Sequence, residues 1–252
     1  MPPSRLALYL AAARVDPRLY VLGLGGTRYF EYPWVLGQVE RLGRRLRLLD
    51  VGSGPSFLPA YLAQQGHLVV TADSDAAQLG VQARFAVRAG SAGRLLPAVV
   101  DATRLGVLAG SVDCVTCISV LEHVPDAGDA RAVAELARTL RPGGSLLLTL
   151  PYAPAYREAR PPYHSSAYQR LYDEAALRRR IIEPSGLDVS SAAYIGTPNP
   201  ALYRLLLRVD RLRLARLALR WLCLAVPGSL IGFLPPERRA TAGAVCLALR
   251  RA

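Results

Sequence analysis

The stretch that decides the fold is Leu48-Leu49-Asp50-Val51-Gly52-Ser53-Gly54-Pro55-Ser56. An apolar run ends in an acid, a glycine-serine-glycine turn follows at once, and residues 57–65 are predicted to form a helix. This order is typical of a buried parallel strand that ends in a tight turn, where glycine allows the backbone to approach a ligand closely. The stretch therefore predicts a nucleotide-binding crevice at the carboxyl end of that strand.

The turn differs from the dinucleotide-binding fingerprint at its third glycine. That fingerprint requires a glycine three positions after Gly54, where this chain has Phe57. Asp50 also places a negative charge beside the turn, which disfavours a pyrophosphate and favours a ligand that carries a sulfonium and an ammonium group. An NAD-type oxidoreductase is therefore only the second interpretation of this motif.

Apolar runs that end in an acid recur along the chain. Residues 68–73 predict a second strand ending at Asp73, which follows Asp50 by about 20 positions, the spacing at which an acid meets ribose hydroxyls. A third short run, 98–102, contains Asp101. Further strands are predicted at 112–119, 145–150, 187–195 and 242–249, and helices at 5–15, 173–182 and from about 29 to Gly43. This alternation predicts an α/β fold with a parallel sheet between two layers of helices.

Taken in order, these motifs resemble those of the class I S-adenosylmethionine-dependent methyltransferases, most closely the small-molecule branch called type 11. The resemblance covers about positions 28–195 and rests on 49–54, Asp73, 101–102, 119–124 and 140–144. It implies a Rossmann-like, doubly wound, mostly parallel seven-stranded sheet with an antiparallel last strand. It also implies S-adenosylmethionine as the cofactor and a small-molecule acceptor.

The resemblance divides the chain into an N-terminal helical lid, 1–44, and a methyltransferase domain, 45–252. In the family the last two strands usually follow each other after a short connection, whereas here a helical insertion of about 196–241 separates them. Tyr29 and Tyr32 are candidate lid residues, with simple helix packing as the alternative. The preceding glycine-rich segment, 23–26, is expected to be a flexible joint.

The resemblance also implies a set of cofactor-binding residues. Asp73 is expected to accept hydrogen bonds from the ribose hydroxyls, Asp101 to accept one from the adenine amino group, and the Ala102 amide to face a ring nitrogen. The alternative is that these strand-end acids only cap the helices that follow them. The full set of expected cofactor-binding residues is Asp50, Gly52, Ser53, Gly54, Asp73, Ser74, Asp101, Ala102 and Ser119.

The sequence identifies the residues of the acceptor site less specifically than those of the cofactor site. His123 follows the fourth strand, at the edge where open α/β sheets bind ligands, and is the candidate catalytic base; ordering of the loop is the alternative. Glu122 is expected to anchor that loop, and His67 to lie on the surface. Other candidates for the acceptor pocket follow the fifth strand, namely Tyr152, Tyr156, Tyr163 and His164; exposed loop tyrosines are the alternative there.

Within the insertion, residues 202–224 predict an amphipathic helix. Its apolar face contains Leu206, Leu207, Leu214, Leu217, Trp221 and Leu224, and its other face contains Arg204, Arg208, Arg211, Arg216 and Arg220. Packing on the sheet is favoured, while an anionic membrane surface and a dimer contact are the alternatives. Membrane contact would make a lipid-linked acceptor the second choice. The helix is too charged to cross a bilayer.

The chain has 252 residues and a formal net charge of +12, and all of its basic residues are arginine. Codon drift or an electrostatic role toward phosphates and acidic surfaces explains this bias equally well. Nucleic acid is disfavoured as a partner because the sequence shows no reader module and no base-flipping motif.

The four cysteines are expected to be buried thiols, with Cys114 and Cys117 on opposite faces of one strand. Neither a metal site nor a signal peptide is expected. The expected location is cytoplasmic, with peripheral membrane contact and the oligomeric state left open. A non-catalytic relative that keeps the donor site is the third interpretation of the chain.

Overall fold

The computed structural model describes residues 4–22, 24, 27–159, 168–202, 205, 221, 223–225, 227 and 230–252. The strands within this part of the chain are β1 (Arg47–Val51), β2 (Leu68–Asp73), β3 (Leu95–Val99), β4 (Val112–Ile118), β5 (Leu140–Pro151), β6 (Arg157–Ala159), β7 (Gln169–Leu171), β8 (Asp188–Gly196), β9 (Gly232–Leu234) and β10 (Ala242–Arg250). The helices are α1 (Arg5–Val15), α2 (Leu19–Leu22), α3 (Arg28–Leu42), α4 (Leu58–Gln64), α5 (Ala77–Arg88), α6 (Gly128–Thr139), α7 (Glu174–Leu177) and α8 (Glu183–Ser185).

The central sheet has the strand order β3-β2-β1-β4-β5-β10-β8-β9. The pairs among the first five strands of this order are parallel, because helices or long turns carry the chain back to the same edge. β10 runs antiparallel to both β5 and β8. The α/β fold class and the antiparallel last strand predicted from the sequence are therefore confirmed.

The described sheet has eight strands, one more than the seven predicted. The additional strand, β9, comes from the insertion and pairs antiparallel with β8, so that Leu234 lies opposite Tyr194. A three-residue strand has no periodicity of its own, and it exists because an edge of the sheet is available to pair with it.

The third strand also differs from its prediction. β3 begins at Leu95 and ends at Val99, which pairs with Asp73 at the end of β2. Asp101 therefore lies beyond the strand, in a turn that forms an isolated bridge with Arg104. The predicted strand over 98–102 was therefore placed about three residues too far along the chain, because the pairing of β3 with β2 ends at Asp73 and Val99.

Two apolar cores cover the two faces of the sheet, one with α1, α3, α4 and α5 and the other with α6, α7 and the segment before α8. Cys114 belongs to the first core and Cys117 to the second, and both thiols are buried, as predicted from their spacing in one strand. His67 is buried as well, and its Nδ1 accepts a hydrogen bond from the Leu46 amide at 3.1 Å. The prediction of a surface histidine was wrong.

The N-terminal helices pack against residues 221 and 223 of the insertion. Arg5 Nη1 donates to the carbonyl oxygen of Cys223 at 2.8 Å, and Trp221 Nε1 donates to that of Val21 at 3.2 Å. The rings of Tyr9 and Trp221 pack edge-on, with 5.5 Å between their centroids. Apart from residues 202, 205, 221, 223 and 224, the predicted amphipathic helix lies outside the described residues, and so do all of its named arginines. No helix in the described part of the chain is long and apolar enough to cross a membrane.

Candidate functional site

Two adjoining cavities open at the carboxyl ends of the parallel strands. The first has a volume of about 540 Å³ and the second about 310 Å³. They share Val51 at the end of β1, Gly52 directly after it, and Ser119 directly after β4. This is the edge at which open α/β sheets bind ligands, and the volumes lie near the range of small-molecule sites.

The first cavity contains one group of the sequence-predicted residues and the second another. Asp73, Ser74, Asp101, Ala102 and His123 line the first cavity. Asp50, Ser53 and Gly54 line the second. The nine predicted cofactor-binding residues and His123 therefore all line these two cavities, with Gly52 and Ser119 at the junction.

The glycine turn requires glycine for a steric reason and a conformational one. Gly52 has φ +70°, and a Cβ added there would overlap the side chain of Val120. Gly54 has φ +48°, and a Cβ added there would meet no protein atom within 4 Å. The turn is also fixed to β2, because the Gly52 amide donates to the Ala72 carbonyl at 2.7 Å. Glycine at 52 therefore permits close packing of the turn against the residue that follows β4.

Asp73 joins the glycine turn to the end of β2. Its Oδ2 accepts a hydrogen bond from the Gly54 amide at 2.8 Å, and its Oδ1 accepts one from the Asp75 amide at 2.9 Å. The second bond is the local turn expected of a strand-end acid, whereas the first spans two loops. Asp73 therefore does more than cap the following helix, and each oxygen of its carboxylate retains a further lone pair.

Asp101 makes a local turn at the mouth of the first cavity. Its Oδ1 accepts hydrogen bonds from both the amide and the hydroxyl of Thr103, each at 2.8 Å. These two bonds hold the pKa of the exposed Asp101 carboxyl below its ordinary value. The turn presents an ionised acid and the neighbouring Ala102 to the cavity.

Asp50 is buried beneath the turn. Burial raises the pKa of its carboxyl to about 6, although hydrogen bonds from Thr116 and Ser53 favour the charged form. The Thr116 hydroxyl donates to Asp50 Oδ1, and the Ser53 hydroxyl is hydrogen-bonded to Thr71 and donates to the Asp50 carbonyl at 3.2 Å. These bonds fix the end of β1 below the second cavity.

The sequence analysis missed Arg28, which lines the second cavity from α3. Its Nη1 donates to the Ser119 hydroxyl at 3.0 Å and pairs with the buried Glu31 carboxylate. Its guanidinium also lies 5.6 Å from the centre of the Tyr32 ring, and the Tyr32 hydroxyl is 3.0 Å from Ser56 Oγ. No local motif marks Arg28, because its partner Ser119 lies far along the chain.

His123 lies on the short helical turn Leu121–His123 after β4. Its Nδ1 donates to the Tyr168 carbonyl at 2.8 Å, because a carbonyl oxygen only accepts, and its Nε2 is 3.7 Å from Glu122 Oε1. His123 lines the first cavity, together with Asp101, rather than the second. His123, the candidate base, therefore lies in the same cavity as Asp73, Asp101 and Ala102, the residues expected to contact the adenosine.

Glu122 is a buried acid beside this histidine. Burial raises the pKa of its carboxyl to about 8, and its Oε2 has no hydrogen-bond partner among the described residues. Arg28 opposes the shift and Glu31 adds to it. Glu122 is thus a buried acid inside the loop, and its expected role as the anchor of that loop stays a prediction.

Of the other candidates for the acceptor pocket, the structure describes Tyr152 and Tyr156. Tyr152 is buried and packs edge-on against Tyr194, with 5.1 Å between ring centroids. The Tyr156 hydroxyl donates to Glu158 Oε1 at 2.7 Å. Tyr163 and His164 lie outside the described residues. Tyr29 is fully buried and its hydroxyl accepts from the Leu24 amide at 3.1 Å, which is helix packing, whereas Tyr32 lines the second cavity.

Comparison with known sequences shows that most of the cavity-lining residues fall within a recognised domain. Residues 49–148 match the family model described as "Methyltransferase domain". The chain is similar to the ubiquinone biosynthesis O-methyltransferase of Paracidovorax citrulli, with 35% identity over 111 residues, or 44% of this chain and 45% of that protein. The corresponding protein of Hahella chejuensis is 35% identical over 109 residues, or 41% of this chain and 42% of its own length. The matches thus span less than half the length of these relatives.

Solved structures share the fold across nearly the whole chain. The 1,6-didemethyltoxoflavin-N1-methyltransferase of Burkholderia thailandensis, solved with 1,6-didemethyltoxoflavin and S-adenosylhomocysteine, has a TM-score of 0.57 and 18% identity, covering 98% of this chain and 82% of its own. The [4+2]-cyclase SpnF has a TM-score of 0.61 and 19% identity, covering 99% and 96%. Since one is named a methyltransferase and the other a cyclase, this likeness shows the fold and not the chemistry. Residues 49–148 therefore match a methyltransferase domain, and the fold around them is that of solved methyltransferase-like structures.

Proposed function

We propose that this protein is an S-adenosylmethionine-dependent methyltransferase that acts on a small-molecule acceptor. The observation that carries the proposal is the convergence of Asp73, Asp101 and the glycine turn, which follow three different strands, on two joined cavities of a methyltransferase domain. An elongated donor with a nucleoside at one end and an amino acid at the other matches two cavities that meet at Gly52 and Ser119.

The first cavity fits the adenosine half of the donor. Asp73 and Asp101 are acceptors for ribose hydroxyls and for the adenine amino group, and Ala102 offers its amide beside them. Ser74 lines the same wall. The hydrogen bond from Gly54 fixes the Asp73 carboxylate before any ligand binds, so little ordering is required on binding.

The second cavity fits the methionine half. Arg28 provides a cation for the carboxylate, and Asp50 lies below the turn where an ammonium group is expected. The charges of the two residues thus match the opposite charges of an amino acid. Arg28 is held in place by Glu31 and Ser119, so its guanidinium is oriented in the protein alone.

Bound S-adenosylmethionine supplies an electrophilic methyl group, and the protein's task is alignment. Holding the acceptor atom in line with the methyl group accounts for much of the acceleration in such transfers. We assign His123 the removal of a proton from an acceptor hydroxyl, because Nδ1–H is engaged by the Tyr168 carbonyl and Nε2 is the ring nitrogen that accepts.

The acceptor class is proposed from the relatives. Those named above are O-methyltransferases of ubiquinone biosynthesis, so a hydroxyl on a small molecule is the first choice here. A lipid-linked acceptor reached by peripheral membrane contact is the second. It is favoured by exposed apolar side chains on the N-terminal helices, namely Leu6, Leu10, Val21 and Leu22.

Two measurements test the proposed function. Calorimetric titration with S-adenosylhomocysteine and, separately, with NADH distinguishes a methyltransferase from an NAD-type oxidoreductase. Transfer of an isotope-labelled methyl group to a panel of phenols, catechols and polyprenylated phenols then distinguishes an enzyme from a non-catalytic donor-binding relative. S-adenosylhomocysteine binding with labelled product supports the proposal, and NADH binding alone overturns it.

A further inference from the structure

Arg170 is a fully buried arginine on β7 and is not among the residues that line either cavity. Its Nη1 donates to the carbonyl oxygens of Leu121, at 3.4 Å, and of Val124. Its Nη2 donates to the carbonyl oxygen of Asp126. One guanidinium therefore binds three backbone carbonyls of a single segment, 120–126, which follows β4.

The 120–126 segment forms a wall of the first cavity. Its cavity-lining residues are Val120, His123, Val124, Pro125 and Asp126. The side chain of Val120 also packs against Gly52, where a Cβ would overlap it. A shift of this segment would therefore alter both the cavity that contains Asp73 and Asp101 and the packing of the glycine turn.

The segment has little regular structure to hold it in place. Only Leu121–His123 form a helical turn, and the next helix begins at Gly128. Asp126 has φ +54°, a conformation that a non-glycine residue keeps only when its surroundings enforce it. Arg170 and Arg180 both donate to the Asp126 carbonyl, the latter at 2.9 Å. These two hydrogen bonds hold Asp126 in this backbone conformation.

Arg170 is itself fixed from several sides. Its guanidinium lies 4.7 Å from the centre of the Tyr168 ring. Its Nε is 3.7 Å from Asp129 Oδ2 and 3.6 Å from Glu158 Oε1, so two acids offset the buried charge. The planar five-donor guanidinium suits this task, because it binds several carbonyls in fixed directions, whereas a lysine ammonium does not.

We propose that Arg170 is a positioning residue for donor binding: it does not contact the donor, and it holds the 120–126 segment in the shape that the donor requires. This inference rests on the proposed function, since it takes the first cavity to be the nucleoside site. It adds to that function a residue on β7, separated by more than 40 positions from the segment that it holds.

The test compares Arg170→Lys with a matched control, Arg251→Lys. Arg251 Nη1 also donates to three carbonyls, those of Ala137 at 3.5 Å, Arg138 at 3.2 Å and Leu140 at 2.6 Å, at the opposite end of α6 from the 120–126 segment. Both variants keep the charge and lose the planar fork. A second variant, Arg170→Gln, is tested in parallel, and thermal unfolding is recorded for all three.

Two readouts separate positioning from general stability. The first is the dissociation constant of S-adenosylhomocysteine, which should rise about tenfold in Arg170→Lys, a loss equivalent to one or two hydrogen bonds, and less than twofold in Arg251→Lys. The second is amide hydrogen exchange at His123 and Gly128, whose amides donate to the Val120 and Pro125 carbonyls at 2.9 Å. Exchange at both should accelerate in Arg170→Lys and not in Arg251→Lys.

Each other outcome contradicts the proposal. Unchanged affinity and exchange in a folded Arg170→Lys would show that the guanidinium does not position the segment. Equal losses in Arg251→Lys would show a general effect of replacing an arginine that binds several carbonyls. Failure of both Arg170 variants to fold, with Arg251→Lys folded, would assign Arg170 to the whole fold. If the unmodified protein does not bind S-adenosylhomocysteine, the proposed function fails, and the exchange readout still decides the role of Arg170.

Discussion

The carboxylate of Asp73 accepts a hydrogen bond from the amide of Gly54 at 2.8 Å, so the acid at the end of β2 and the turn after β1 form one unit. The two residues come from different strand ends that lie side by side in the parallel sheet. The contact orients the carboxylate at the first cavity and fixes the turn at the second. The two halves of the site are therefore coupled before a ligand is present.

Asp73→Ala is expected to weaken S-adenosylhomocysteine binding by about 1–3 kcal/mol, the usual effect of removing a charged hydrogen-bond acceptor. Calorimetric titration measures this change. Asp75→Ala is the control on the same loop, because the Asp75 carboxylate is exposed and accepts hydrogen bonds from Ala77 and Gln78 at the start of α5. Unchanged affinity in a folded Asp73→Ala protein would remove Asp73 from the donor site.

Gly52→Ala is expected to destabilise the protein, because it puts a Cβ at φ +70° and against Val120. The left-handed conformation costs about 1–2 kcal/mol and the overlap about 1–3 kcal/mol more. Urea unfolding measures the loss, and Gly52→Val should be worse. The sequence suggested that a side chain here would block the ligand, and the structure adds that it meets Val120 first.

A double-mutant cycle separates these two costs. Val120→Ala removes the two Cγ atoms that overlap most with the added Cβ and should relieve much of the overlap, but not the backbone strain, giving a favourable coupling between positions 52 and 120. Purely additive losses in Gly52→Ala/Val120→Ala would mean that the two side chains do not compete for the same space.

Glu122 should make stability fall as pH rises. Its folded pKa of about 8 lies above its ordinary value of 4.5, so the folded state binds more protons between these values. The stabilising contribution is complete below the unfolded pKa and is lost as pH rises through the folded pKa. The free energy of unfolding should therefore fall by up to about 1.4 kcal/mol per pH unit.

Glu122→Gln tests this slope with little change in shape. Asp50 contributes a slope of the same sign, but its folded pKa of about 6 confines that slope to lower pH. Between pH 6.5 and 8 the variant should thus show a smaller decline than the unmodified protein in chemical unfolding. Parallel curves over this window would mean that Glu122 is ionised in the folded protein.

His123→Ala should lower turnover by a factor of about 10²–10⁴, the usual contribution of a general base, and leave S-adenosylhomocysteine affinity unchanged. His123→Gln is the matched variant, because its amide can still donate to the Tyr168 carbonyl but cannot take a proton. Loss of turnover in both supports a base. Recovery of turnover in His123→Gln would assign His123 to ordering the loop, and loss of donor affinity would assign it to the donor site.

Much of the site could be predicted because its residues follow strands that are visible in the sequence. Asp50, Asp73 and the glycine turn each come at the end of an apolar run, and parallel strands bring such ends to one edge. The local signal and the topology therefore agree at these positions. Asp101 was found although its strand was misplaced, because the acid itself and not the strand boundary identified it.

The residues that sequence reasoning missed act through long-range contacts. Arg28 meets Ser119 and Arg170 meets the 120–126 segment only after the chain has folded, and an arginine among 31 basic residues gives no local signal. The same holds for β9, whose three residues become a strand by pairing with β8. His67 precedes a strand in the sequence, but the Leu46 amide that donates to its buried ring belongs to the segment before another strand, β1.

The most direct test of the central claim is a crystal structure of the protein with S-adenosylhomocysteine. We predict the ribose hydroxyls within hydrogen-bond distance of Asp73, the adenine in the first cavity beside Asp101 and Ala102, and the amino-acid end in the second cavity near Arg28. A ligand bound elsewhere, or one that crosses Gly52 in the opposite direction so that the amino acid lies beside Asp101, would contradict the account.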